Sequence, residues 1–380
     1  MLIEIHMLKN YAPTNLNRDD TGAPKTCLFG GVQRSRISSQ CLKRSWRKSE
    51  LLSELVGSEN LGIRTRRLPE LVAEQLRADG IGEELIALAS KKLSGFGNKD
   101  GKENSKGNYT AQVVFYAPED IKAAAGLVKA KIEACKGDKK AFDKLTAKEL
   151  QAEIKDAKLR PVTLDIALFG RMVTSDAFAD VDAAMQVAHA FSTNRLTMEA
   201  DYFTAMDDLV SGESMDDLGA AIMGDIDYNS SCYYMYASLD TDKLEENLKN
   251  VPNRDALMKK AIPAILRVMA YSNPSGKQNT FAGHALPSAV LVECKNERIP
   301  VSYANAFVRP AAPGNGNDLV GASIRALTQE VSAMEKDFAL PVEKRLWFCS
   351  SKYDEPLQDA VPCKNYEALV DALSGCLQKK

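Results

Sequence analysis

The chain reads as an α+β protein with a mostly antiparallel sheet. Segments of period two and segments of helical period interleave along it. None of their junctions carries a Gly-rich strand-to-helix fingerprint, which argues against a doubly wound sheet. One block of about a hundred residues near the N-terminus reads as mainly helical and interrupts the alternation. At 380 residues, 45% hydrophobic and 26% charged, the chain is long enough for two or three domain-sized units.

Taken in order, "LIEIHMLK" sets Leu2, Glu4 and His6 against Ile3, Ile5 and Met7, the pattern of a strand. Residues 10–37 read as a long polar loop, with Gly22, Pro24, Gly30 and Gly31 as turn residues. Ser38 or Ser39 then caps a helix running to about Leu52. Residues 60–160 are rich in Ala, Lys, Leu and Glu and read as a helical insertion, broken by a surface loop at 95–108. In "DAAMQVAHAFSTNRL" (182–196) Met185, Val187, His189 and Phe191 alternate with small residues, so a strand is favoured over a helix. "SSCYYMYASL" (230–239) is an aromatic-rich strand. A helix (255–271), a strand (289–294), a helix (319–338), a strand (345–350) and a last helix (365–377) complete the order.

Composition excludes several function classes. None of the eight cysteines forms a C-x-x-C pair, and His6, His189 and His284 are far apart, so zinc-site spacing is absent and no cofactor or metal is expected. Scattered cysteines suit a reducing compartment. The first ten residues are too charged for a secretory core, and no apolar run reaches spanning length. The expectation is a cytoplasmic protein with no membrane partner.

Charge carries more information than composition. Net charge is only -2, yet residues 1–50 hold nine basic and four acidic side chains, a surplus of five. Gln40, Lys43, Arg44 and Arg47 fall at i, i+3, i+4 and i+7, one helix face, while Leu42, Trp46 and Leu52 lie off it and can bury. Ser38 and Ser39 start the helix, which would add free backbone N–H groups. A polyanion could lie across this element, with successive cations neutralising phosphates. A solvated basic face paired with acids elsewhere is an equally good reading. Residues 195–227 are the opposite, with nine acids and one arginine, and suit a basic protein surface or plain solvent. Residues 129–160 carry ten basic and six acidic side chains, by default a solvated helix face, with contact to a second nucleic-acid strand as the alternative.

The motifs "LNRDD…PK…FGG…R.RISSQ.LKR..RKS", "DIALFGRM.TS", "VDAAMQVAHAFST" and "DYFTAMDDL", with "GKQNTFAG" as a weaker match, resemble the CasC-type backbone subunit of the type I-E CRISPR surveillance complex, Cascade. The resemblance implies a hand-shaped protein: a modified RRM/ferredoxin-like palm, a helical fingers insertion and an extended β-hairpin thumb. On this chain the palm would take residues 1–59, 163–194 and 229–380, the fingers 60–162 and the thumb 195–228. The implied function is non-catalytic. Copies of the chain polymerise along a CRISPR RNA beside other Cascade subunits, kink it periodically and present it for pairing with a target DNA strand. Carried over, the RNA contacts are Arg18, Lys25, Gln40, Lys43, Arg44 and Arg47. Met172 becomes the wedge at the kink, and Tyr202, Phe203 and Thr204 the thumb tip. Lys277 and Gln278 are further phosphate contacts. An apolar or aromatic side chain suits a kink, because a displaced base needs a new stacking surface. Without the family, core packing is the better reading of Met172 and Phe203.

The adjacent acids Asp19 and Asp20 read as turn formers or arginine partners. The order of "GAPKTCLFGGVQ" lacks a nucleotide-binding loop, and Gly30–Gly31 gives room for a close backbone approach. The competing expectation is a metal-dependent ribonuclease using Asp19, Asp20 or Asp165. A structural oligomer without nucleic acid is the third.

Overall fold

In the computed structural model the opening alternation forms a strand over Leu2–Thr14, buried on both faces along most of its length. The structure describes residues 1–104, 109–154, 157–204, 223–314 and 316–377. The sheet path runs Val361–Pro362, Lys344–Cys349, Pro287–Lys295, Leu2–Thr14, Met223–Asp240, Ala190–Ser192, Val32–Ile37 and Thr26–Phe29. Lys344–Cys349, Pro287–Lys295 and Leu2–Thr14 pair antiparallel. So do Met223–Asp240, Ala190–Ser192, Val32–Ile37 and Thr26–Phe29. Val361–Pro362 joins in parallel. The α+β class with a mostly antiparallel sheet holds.

Two expectations are corrected. Residues 10–37 are not one loop. The first strand continues to Thr14, and Thr26–Phe29 and Val32–Ile37 form a hairpin. Its turn is Gly30–Gly31, with φ of +58° and +74°, two consecutive left-handed residues as a tight type I′ turn requires. The helix after Ser38 is also shorter than expected. It ends at Arg47, and Leu52 belongs to a separate helix, Glu50–Val56. The expected strand in 182–196 is present as two short pieces, Met185–Val187 and Ala190–Ser192.

The chain divides into two compact units. The sheet unit comprises residues 1–52, 187–238 and 262–380, and the helical unit residues 53–186 and 239–261. In the sheet unit, helix Leu319–Phe338 begins on Asp318, whose carboxylate accepts from the Gly321 N–H at 2.9 Å. It lays Val320, Ile324, Leu327 and Val331 against Leu291, Trp347, Tyr234 and Phe307. In the helical unit, helices Leu68–Ala78, Glu83–Leu93 and Pro118–Ala134 contribute Val72, Leu76, Ile86, Ala89, Val128 and Ile132 to one core. A two-stranded sheet, Ile63–Thr65 with Val114–Tyr116, accompanies them.

The polar side of the first strand is buried too, which its alternation does not suggest. Glu4 and His6 are fully enclosed. Glu4 pairs with Lys295 and accepts from the Val301 N–H at 2.7 Å. Glu293 accepts from Arg345 at 2.7 Å and from the Tyr303 hydroxyl at 3.1 Å. Each of these buried carboxylates has a cationic partner, without which burial would cost several kcal/mol.

Candidate nucleic-acid interface

The candidate interface begins in the loop after the first strand. Asp19 closes it, its Oδ1 accepting from the Thr21 N–H at 2.9 Å, the Thr21 hydroxyl at 2.8 Å and the Ala23 N–H at 3.1 Å. The Thr21 hydroxyl first, then the loop N–H groups, hold this carboxyl below its ordinary range. The Lys25 N–H donates to the Asn17 carbonyl at 2.8 Å, completing the closure. Arg18 is left exposed and Lys25 half-buried. The turn-forming reading of Asp19 is the one this geometry favours.

The hairpin leads from the loop to the basic helix. Gly30 passes so close to Val308 that a Cβ would sit 2.2 Å from its carbonyl oxygen. Arg34 is buried and donates to the carbonyls of Ser192 at 3.0 Å and Phe307 at 2.6 Å, so it builds the sheet. Lys9 also turns inward, towards the Ala270 carbonyl and Asn273. Asn17 then fixes the helix start by accepting from the Ser38 N–H at 2.8 Å.

Helix Ser39–Arg47 separates its faces as its spacing predicts. Leu42 and Trp46 are buried, Gln40 and Arg44 exposed, Lys43 and Arg47 half-buried. Partial burial lowers the Lys43 ammonium from its ordinary value. One expectation is corrected here, because the first-turn N–H groups are not all free. Ser38 accepts from the Cys41 N–H at 3.3 Å. The Ser39 N–H donates to His189 Nδ1 at 3.2 Å, an atom that also lies 3.2 Å from the Arg36 guanidinium. Sequence reasoning passes over His189 except as a strand residue. Its contact partner is 150 residues away, so no local pattern could reveal it.

The loop with Lys277 and Gln278 lies against the same strand exit. A Cβ on Gly276 would be 2.3 Å from the Leu16 carbonyl oxygen, and one on Gly283 2.5 Å from Thr14 Oγ1, so this approach needs glycine. Lys277 adopts a left-handed conformation, φ +51°. Gln278 donates to the carbonyls of Pro274 at 2.7 Å and Gly283 at 3.1 Å, so its amide shapes the loop.

Glu199–Thr204 pairs with the start of Met223–Asp240 to form a ribbon exposed along all of its first strand. Its root is tied by Asn15, which donates to the Asp227 carbonyl at 2.8 Å, and by the Tyr228–Phe281 ring pair at 5.4 Å. Tyr202 is opposite Asp225, and Phe203 opposite Gly224. Successive strand residues point to opposite faces, so the two aromatics do not share one. Tyr202 is 66% exposed; Phe203 is 40% exposed, its ring over Gly224. The rest of the expected thumb, residues 205–222, lies outside the described residues.

Met172 belongs to the helical unit and is 92% exposed, which removes core packing as its explanation. Its neighbour Arg171 is the anchor, buried with Asp120 and donating to the carbonyls of Ala179 at 2.9 Å and Phe115 at 3.1 Å. Asp165 also sits in this unit, buried, and accepts from the Gly62 N–H at 2.8 Å.

Some cations of residues 129–160 are ion-paired, although Lys136, Lys140, Lys144, Lys148 and Lys158 have no carboxylate partner among the described residues. Lys129 reaches Asp79 at 3.1 Å, Arg160 reaches Asp120 at 3.1 Å, and Lys131 and Lys139 pair with Glu153 and Glu84. Among the described residues, Arg18, Lys25, Arg36, Lys43, Arg44 and Lys277 have no carboxylate partner. No group of three or more His, Cys, Asp or Glu side chains among them has metal-binding geometry. No described helix is long and apolar enough to cross a membrane.

Fold and face together define a class: an α+β protein whose sheet unit carries several cations without a carboxylate partner among the described residues. The sequence profile of the CT1975-like proteins (Cas_CT1975) matches residues 3–373, and the chain belongs to this family. It is similar to a solved chain described as "CRISPR RNA-guided surveillance complex, pre-nicking", with TM-score 0.81 and 25% identity, over 99% of this chain and 100% of that one. A second, "CRISPR RNA-guided surveillance complex", shares the fold with TM-score 0.73 and 22% identity, over 99% and 100%. No curated protein sequence matches. The resemblance read from the motifs is borne out.

Proposed function

We propose that the chain is a CRISPR RNA-binding backbone subunit of a type I-E Cascade surveillance complex. Copies polymerise along the guide, kink it and present it to a target DNA strand, beside other Cascade subunits in the cytoplasm. The subunit itself is non-catalytic. One observation carries the reading: Arg18, Lys25, Lys43 and Arg44, on the loop and helix that follow the first strand, have no carboxylate ion-pair partner among the described residues. Cations left without acids are what a phosphate backbone recruits. The family match and the structural likeness to surveillance-complex chains support the same reading. The exposed Met172 suits the wedge at a kink.

The test is RNA binding against salt. K43A/R44A should weaken binding to all sequences alike, since phosphate contacts carry no sequence information. The slope of log affinity on log salt should become shallower by roughly 0.7 for each phosphate no longer neutralised. An unchanged slope would leave the helix a solvated surface and remove the proposal's support.

A further inference from the structure

We propose that His189 is a neutral hydrogen-bond donor to a phosphodiester oxygen of the bound RNA, working between Lys25 and Arg36. The inference rests on the RNA-binding reading and adds one specific donor to it. His189 lies between the short strands Met185–Val187 and Ala190–Ser192, and its side chain is exposed. Its Nδ1 is 3.2 Å from both the Ser39 backbone nitrogen and Arg36 Nη1. An amide N–H and a guanidinium can only donate, so Nδ1 must be the acceptor and the ring proton must sit on Nε2. The partial desolvation of the ring, then the charges of Arg36 and Lys25, lower the imidazole from its ordinary value, which agrees with a neutral ring.

The tautomer fixes the function of the opposite ring edge. Nε2–H has no protein acceptor among the described residues. Arg36 is itself held, its Nε donating to the Thr26 carbonyl at 3.1 Å, and its backbone N–H donates to the Lys25 carbonyl at 2.8 Å. Arg36 and Lys25 both lie close enough to act on the His189 ring, which makes a cluster of two cations and one neutral donor with no carboxylate partner among the described residues. Two of the helix N–H groups beside it are occupied, by His189 and Ser38, so the cluster itself is the site. An anionic oxygen suits it, and a repeating phosphodiester supplies one wherever the strand crosses.

The experiment measures binding of a single-stranded RNA oligonucleotide by the full chain at several salt concentrations, with thermal unfolding of each variant. H189Q can keep a donor near Nε2, whereas H189N can keep an acceptor near Nδ1 and lose the outer donor. The expected result is that H189A and H189N bind about three- to tenfold more weakly while H189Q stays close to wild type. The salt slope should not change, because a neutral group releases no counterion. The same losses should appear with a 2′-deoxy oligonucleotide, since the acceptor is a phosphate. Rescue by H189N rather than H189Q would show that His189 only positions the helix start, and would overturn the proposal. So would a shallower slope in H189A, which would make the ring cationic, or a loss confined to ribose strands. Full affinity in H189A would overturn it as well. Failure of the wider reading looks different: the wild-type chain would bind no RNA, or K43A/R44A would leave its salt slope unchanged.

Discussion

His6 shows what burial does to a single titratable group. It is enclosed, 2.8 Å from the Tyr234 hydroxyl, and burial is the main cause that lowers it from 6.5 to about 4. Glu293 opposes the shift and Lys295 adds to it. Between those two values the unfolded chain binds a proton at this position and the folded chain does not. Its contribution is therefore present above pH 6.5 and is lost as pH falls towards 4. The full effect is on the order of 3 kcal/mol. Denaturant melts at pH 7 and pH 4.5 should show a smaller acid loss for His6→Gln than for wild type; equal losses would place the acid sensitivity elsewhere. Asp19 is the complementary case. Its carboxylate is engaged by Thr21 and Ala23, so Asp19→Asn should loosen the loop and weaken RNA binding without changing any turnover. Magnesium-dependent RNA cleavage by pure protein, abolished by this substitution, would establish the ribonuclease reading instead.

At the scale of elements, legibility tracks how far each pattern depends on distant partners. Helix 319–338 is readable to the residue, because its apolar period and Asp318 cap are local. The exposed and buried faces of the basic helix are readable for the same reason. The hairpin at 26–37 is not. Its strands are only four and six residues long and half-exposed, so they carry little alternation. The extension of the first strand is hidden by Lys9, which reads as surface yet turns into the interior. The register that separates Tyr202 from Phe203 and the contact that orients His189 are both tertiary. Gly30 tests the hairpin. Ala there meets both a left-handed φ and a carbonyl oxygen at 2.2 Å, so Gly30→Ala should cost about 2 kcal/mol or more. Thermal unfolding reads this directly, and a neutral result would mean that the turn can reopen at no cost.

At the scale of the molecule, the sheet unit concentrates bare cations in its first fifty residues and an acidic ribbon in its middle. Replacing residues 199–226 by a short turn should spare binding of one copy to RNA and abolish ordered multi-copy assembly. Footprinting of the bound RNA, with mass measurement of the particle, checks this. An intact periodic footprint from the deleted chain would remove the ribbon from assembly. Met172→Ala with Phe203→Ala should be milder, with assembly kept and the kinks weakened by about 1–3 kcal/mol for each base deprived of its stacking surface.

The lack of carboxylate ion pairs at Arg18, Lys25, Lys43 and Arg44 among the described residues also bears on the free protein. If these like charges repel one another, the empty chain folds against an electrostatic cost that a polyanion would relieve. Added salt should then act in opposite directions on two properties. It should raise the melting temperature of the RNA-free chain by screening the repulsion, and lower that of the loaded chain by weakening the bound strand. The two melting curves should converge as ionic strength rises, a thermodynamic signature of one surface serving both folding and capture.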